Sequence, residues 1–181
     1  LGAMILALGL TIDDCEVKNL TAHSSQPDGK ILKLFDNLLI SYQVNEKNMS
    51  IITHKQSYLG YTYDITDTPD LVPALMILAA NANSPSRITG INRLTNKETN
   101  RASTLSDTFI KLGGKLEVIN ENTWLIYPSQ MHVGKINSYN DHRVALLAIF
   151  LALQSNEVVE IDDWECINKS YSAQFLKNLL K

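Results

Sequence analysis

Asp70-Leu71-Val72-Pro73-Ala74-Leu75 and Asp141-His142-Arg143-Val144-Ala145-Leu146 are two readings of one pattern, an acid followed by an apolar helix start, set 71 residues apart. The pattern predicts helices over Asp70 to Ala82 and Asp141 to Gln154, each with its Asp as N-cap, because an Asp carboxylate accepts from the unpaired first-turn N–H groups. A second match extends it, Asn96-Lys97 with Asn168-Lys169, 72 residues apart. Each of these pairs follows a short β-prone run, Ser86 to Ile91 or Glu157 to Ile161. Each also precedes an amphipathic helix, with Leu105, Phe109 and Leu112 on one apolar stripe and Phe175, Leu176 and Leu179 on the other. A period of this size is the mark of a repeated supersecondary unit.

The middle copy reads as strand Tyr61 to Thr66, helix, strand Arg87 to Ile91, helix, and a hairpin from Gly114 to Tyr127 turning at Asn120 to Asn122. That is a βαβαββ unit. The first copy enters inside its first helix, with Met4 to Leu8 answering Leu75 to Ala79. It continues through strand Cys15 to Leu20, helix Asp28 to Leu39 and a hairpin pairing Ser41 to Asn45 with Met49 to His54. The expected fold is α/β (α+β), a single domain over 1–181 with repeats at 1–57, 58–129 and 130–181. The first repeat would lack its opening strand and the third its closing hairpin. Such a unit leaves sheet edges and apolar faces unpaired, which predicts that the chain is cut from a larger protein.

Sixteen Lys and Arg against nineteen Asp and Glu give a net charge of −3, which offers no general attraction to nucleic acid or anionic membrane. Any anion site must be local. Cys15 and Cys166 form no CxxC pair or His/Cys cluster, so neither a disulfide scaffold nor a zinc site is expected. A cytoplasmic setting is expected, since no apolar run approaches the ~20 residues of a membrane span and the opening segment lacks a signal peptide's basic flank.

Local chemistry is concentrated at the repeat's helix starts. Asn96-Lys97-Glu98-Thr99-Asn100-Arg101 places Lys97 and Arg101 four apart, on one face if helical, with Glu98 beside them. Cations there oppose the helix dipole, whereas an anion would meet both the cations and the free N–H groups. Taken singly, each motif has an ordinary reading: a solvated charged face, plain caps at Asp70 and Asp141, an exposed lysine at Lys169. The repeat changes the balance, because equivalent positions fall at equivalent ends of the elements. Asp70, Lys97, Arg101, Arg143 and Lys169 are therefore expected to converge on one rim. Four cations and a carboxylate suit a small ligand bearing both carboxylate and phosphate.

With Pro69-Asp70-Leu71-Val72-Pro73, Lys97-Glu98-Thr99-Asn100-Arg101, Asn140-Asp141-His142-Arg143 and Cys166-Ile167-Asn168-Lys169-Ser170-Tyr171 in this order, the chain resembles the carboxy-terminal domain of the 5-enolpyruvylshikimate-3-phosphate synthase family. The resemblance implies a two-domain enzyme that moves the enolpyruvyl group of phosphoenolpyruvate to the 5-hydroxyl of shikimate 3-phosphate, releasing phosphate, a step of aromatic amino acid biosynthesis. It implies that Arg101, Arg143 and Lys169 hold phosphoenolpyruvate and that Asp70 and Lys97 contact shikimate 3-phosphate. Asp70 would be the base at the hydroxyl and Glu98 the proton donor to the methylene. No metal or organic cofactor is implied. Asn100 stands where the family usually has an acid, Ser172 replaces a common proline, and Arg93 stands where some members use asparagine. The resemblance further implies that a lysine, a serine and several arginines come from an amino-terminal segment and domain as partner, so that this chain alone would be inactive. A nucleotide-sugar enolpyruvyl transferase and a non-catalytic anion-binding module are the alternatives.

Overall fold

The computed structural model describes residues 1–12, 14–20, 29–95, 99–132, 134–155, 158–169 and 171. Its elements run α1 (Gly2–Gly9), β1 (Cys15–Lys18), α2 (Lys30–Asn37), β2 (Tyr42–Asn45), β3 (Ser50–Thr53), β4 (Thr62–Asp64), α3 (Val72–Asn81) and β5 (Ser86–Thr89). They continue with α4 (Arg101–Lys111), β6 (Lys115–Asn120), β7 (Thr123–Tyr127), β8 (Gly134–Asn137), α5 (His142–Ser155) and β9 (Val159–Asp162). Short 3-10 turns cover Pro69–Leu71, Ile91–Leu94 and Trp164–Lys169.

The βαβ steps appear where the repeat put them. β4 pairs parallel with β5 across α3, and β8 pairs parallel with β9 across α5. In the middle unit β5 then pairs antiparallel with β7, and β7 with β6, giving the order β4-β5-β7-β6. The first unit repeats that arrangement as β1-β3-β2, all antiparallel. Local chemistry closes both hairpins. The Asn122 N–H donates to Asn120 Oδ1 at 2.9 Å and the Asn48 N–H to Asn45 Oδ1 at 3.1 Å, the side-chain turn that Asn forms readily.

α1, α3 and α5 pack on one another, and their composition explains why. Every residue of α3 from Val72 to Ala80 is buried, as expected of a helix apolar all round. α2 and α4 are one-sided, burying Ile31, Leu32, Leu34 and Phe35 in the first and Leu105 and Phe109 in the second. The Tyr58 and Tyr61 hydroxyls donate to the Leu78 and Leu75 carbonyls of α3, so these rings are buried without orphaning a polar tip. Burial pushes both phenols up.

Two expectations are corrected here. Asp70 is no helix cap, because it lies inside the 3-10 turn Pro69–Leu71, and neither that turn nor α3 has a side-chain cap bond. The second helix of the middle unit starts at Arg101, capped by Asn100, whose Oδ1 accepts from the Ser103 N–H at 3.3 Å. Arg101 is therefore the first helical residue, and the expected Lys97 and Arg101 pairing along a helix is not what α4 provides. Lys97, Glu98, Asp28, Glu157, Ser172 and the helix expected around Phe175, Leu176 and Leu179 lie outside the described residues.

Candidate active site

Three helix entrances meet at one place: the turn before α3, the start of α4 and the start of α5. α5 packs against both α3 and α4, and the 3-10 turn Pro69–Leu71 touches the turn Ile91–Leu94 that follows β5. Gly90, with φ 86°, begins that turn in the left-handed region that a side chain would resist.

Asp141 is the N-cap expected from the sequence. Its Oδ1 accepts from the Arg143 N–H at 2.9 Å, and its backbone carbonyl accepts from Val144 and Ala145. It does more than cap, however. Its Oδ2 accepts from Arg101 Nε at 2.9 Å and its Oδ1 lies 3.4 Å from Arg101 Nη2, with the Thr99 hydroxyl donating to Oδ2 at 3.3 Å. The Arg101 side chain is 1% exposed and that of Asp141 is 0% exposed, so this is a buried ion pair. Burial by itself would raise the Asp141 carboxyl. The bond from Arg101, the Arg143 N–H, and the charges of Arg101 and His142 outweigh it and hold the carboxyl below its ordinary value. The helix dipole at the start of α5 acts in the same sense.

Asp70 faces the same guanidinium from the other side. Its Oδ1 lies 3.0 Å from Arg101 Nη1, and its Oδ2 lies 2.9 Å from Arg143 Nη2. Its backbone carbonyl accepts from Arg143 Nη1 at 3.2 Å. One carboxylate thus bridges two arginines. Unlike Asp141, the Asp70 side chain is 39% exposed.

Lys169 ends the 3-10 turn Trp164–Lys169 and points back over the β8–α5 loop. Its Nζ donates to Asn140 Oδ1 at 2.9 Å and to the Asn140 carbonyl at 3.3 Å. That loop is set by buried Ser138, whose N–H donates to the Asp162 carbonyl and whose hydroxyl donates to the Asp163 carbonyl. Tyr139 and Asn140 both take left-handed φ angles, 52° and 56°. A cavity of about 380 Å³ opens beside the loop, lined by Asn140, Asp163, Glu165 and Cys166.

Of the five residues expected on one rim, the structure joins Asp70, Arg101 and Arg143 directly. It brings Lys169 to the same loop, one residue from Asp141. Lys97 and Glu98 lie outside the described residues. Arg101 and Arg143 are each bonded to a carboxylate. The sequence reading missed Asp141 as the buried partner of Arg101 and Asn140 as the partner of Lys169. Their adjacency within the same Asn140-Asp141-His142-Arg143 motif was the available signal.

Comparisons with known proteins identify the family. The family model for EPSP synthase (3-phosphoshikimate 1-carboxyvinyltransferase) matches residues 3–179. A 3-phosphoshikimate 1-carboxyvinyltransferase of Sulfurisphaera tokodaii is 39% identical over 133 residues, covering 74% of this chain and 32% of that protein. The protein of the same name from Picrophilus torridus is 32% identical over 178 residues, covering 98% of this chain and 43% of its own length. Among solved structures, the enolpyruvyl transferase NikO from Streptomyces tendae has a TM-score of 0.76 at 14% identity, over 98% of this chain and 41% of that one. EPSP synthase from Acinetobacter baumannii has a TM-score of 0.72 at 20% identity, over 93% and 42%. These structural likenesses give the enolpyruvyl transferase fold. The chain spans less than half the length of these relatives. Over the length that it does span, it belongs to the EPSP synthase (3-phosphoshikimate 1-carboxyvinyltransferase) family.

Proposed function

We propose that this chain is the carboxy-terminal domain of a cytoplasmic enzyme that transfers the enolpyruvyl group of phosphoenolpyruvate to the 5-hydroxyl of shikimate 3-phosphate, and that it carries one wall of the active site. The observation that supports this most is the pair Arg101 and Arg143 set side by side, 3.0 and 2.9 Å from the two oxygens of a single carboxylate. Two guanidinium groups so placed suit the carboxylate or phosphate of phosphoenolpyruvate. Lys169, on the adjoining loop, would add a point charge at the phosphate.

In the reaction, the 5-hydroxyl oxygen bonds to the central carbon of phosphoenolpyruvate as its proton passes to Asp70, and the methylene carbon gains a proton from Glu98. Loss of a proton from the resulting methyl group and cleavage of the carbon to phosphate-oxygen bond then restore the double bond and release phosphate. Carboxylates at both atoms can serve as base and acid in turn. Arg101, Arg143 and Lys169 would stabilise charge on the phosphate as it departs, while Lys97 would contact shikimate 3-phosphate.

The amino-terminal domain is the proposed partner, since the relatives are more than twice as long as the stretch matched here. Phosphate release from phosphoenolpyruvate plus shikimate 3-phosphate tests the proposal. The chain alone should give no turnover, and adding the amino-terminal domain of a close relative should restore it. Restored activity should fall at least 100-fold in Arg101→Ala. Failure to release phosphate with the added domain, under conditions where the relative's own two domains recombine actively, would remove the assignment.

A further inference from the structure

Lys169 is exposed, and a solvated lysine ordinarily samples many rotamers on its four-carbon stem. Here both of its hydrogen bonds go to one residue: Nζ donates to Asn140 Oδ1 at 2.9 Å and to the Asn140 carbonyl at 3.3 Å. An ammonium has three N–H donors. Asn140 accepts two of them, and among the described residues the third meets no acceptor.

Asn140 can hold the lysine because its own backbone is fixed. Its φ of 56° lies in the left-handed region, which asparagine enters more readily than most residues. Its N–H donates to the Ser138 hydroxyl at 3.2 Å, and that hydroxyl donates to the Asp163 carbonyl at 2.9 Å, directly before the 3-10 turn that carries Lys169. One residue before Asn140, the Tyr139 hydroxyl donates to Asp107 Oδ2 on α4 at 2.8 Å. One residue after it, Asp141 accepts from the Arg143 N–H. The loop that holds Lys169 is therefore the loop that starts the helix of Arg143.

From this arrangement we infer that Asn140 is a positioning residue for the anion site: it holds the Lys169 ammonium by two bonds before any ligand arrives and leaves one N–H for the ligand's oxygen. The inference rests on the reading of Lys169 as a cation at the phosphate and deepens it, by naming what sets that cation at a fixed place relative to Arg143. A lysine ordered in advance need not be ordered by the ligand, a difference of roughly two- to tenfold in affinity for a side chain of this kind.

Asn140→Gly isolates the side chain, since glycine keeps the left-handed φ and the backbone carbonyl and removes only Oδ1. In the 181-residue chain, acetylation of Lys169 by an N-hydroxysuccinimide ester, read by peptide mass spectrometry, should be about fivefold faster in this variant, the effect of one ordinary hydrogen bond. Lys135 of β8, paired with Asp162 at 3.3 Å, should react at its wild-type rate. An unchanged Lys169 rate would overturn the inference. Should Asn140→Gly unfold, shown by faster acetylation of Lys135 as well, Asn140→Asp decides. Its carboxylate makes the stronger, charge-assisted bond, so Lys169 should react more slowly than in wild type, and an equal or faster rate would refute the pairing. In the chain complemented with a relative's amino-terminal domain, Asn140→Gly should weaken phosphoenolpyruvate binding, measured by calorimetry, roughly two- to tenfold. It should add nothing in a Lys169→Met background. Equal weakening in both backgrounds would mean that Asn140 serves the fold or the ligand by itself, and would overturn the inference. Acetylation as expected without any phosphate release by the complemented chain removes the function proposed above and leaves Asn140 as the residue that sets Lys169.

Discussion

Asp141 is a carboxylate without exposed surface, and its partner Arg101 is 1% exposed. Burying two charges is unfavourable unless each is well bonded, and deleting one partner leaves the other uncompensated at a cost of about 3–5 kcal/mol. Asp141→Ala should lower stability by that amount in urea unfolding, well beyond the ~1 kcal/mol of a lost helix cap. The lowered Asp141 carboxyl also fixes a sign. The unfolded chain binds its proton first as pH falls, so the contribution is complete above the unfolded value near ~3.9. It is lost as pH drops through that value and on through the folded one. The thermal midpoint of wild type should thus decline more steeply below about pH 4 than that of Asp141→Asn. Parallel declines would show that another group carries the acid sensitivity. The sequence displayed Asp141 as a cap because capping is a matter of four adjacent residues. Its pairing with Arg101, 40 positions away, is set by how α4 and α5 pack.

At the level of elements, the site is built from helix entrances whose form depends on single residues. Asn100 starts α4 by accepting from the Ser103 N–H, which puts Arg101 at the first helical position. Asn100→Ala should cost about 1 kcal/mol, measured by urea unfolding. In an otherwise intact fold it should also weaken phosphoenolpyruvate binding, because the start of α4 sets where Arg101 stands. Gly60 serves β4 differently. A Cβ there would run into the backbone carbonyls of Ser84 and Pro85, where the chain enters β5. Gly60→Ala should therefore destabilise by about 1–3 kcal/mol through overpacking, seen as a lower thermal midpoint, whereas no loss would mean that the two strand entrances are slack. Strand and hairpin positions were legible to within a few residues because they follow from alternation and Asn turns. The start of α4 was not, since the charged run before Arg101 reads equally well as a helix's first turn.

For the molecule as a whole, the mutual packing of α1, α3 and α5 forms the interior to which the sheets are attached. Leu75, fully buried in α3, should cost about 2–5 kcal/mol on truncation to Ala. The far-UV and near-UV circular dichroism transitions should fall together, while separated transitions would show that the units unfold independently. Among the described residues no helix is long and apolar enough to cross a membrane. The sequence by itself determined the βαβ steps and the apolar central helices, because periodicity and turn chemistry are properties of neighbouring residues. Only the tertiary structure decided that Asp70 bridges both arginines and that Asp141 anchors Arg101 from within. Those choices belong to charges brought together from three helix entrances, where burial makes an unpaired cation too costly to leave facing nothing.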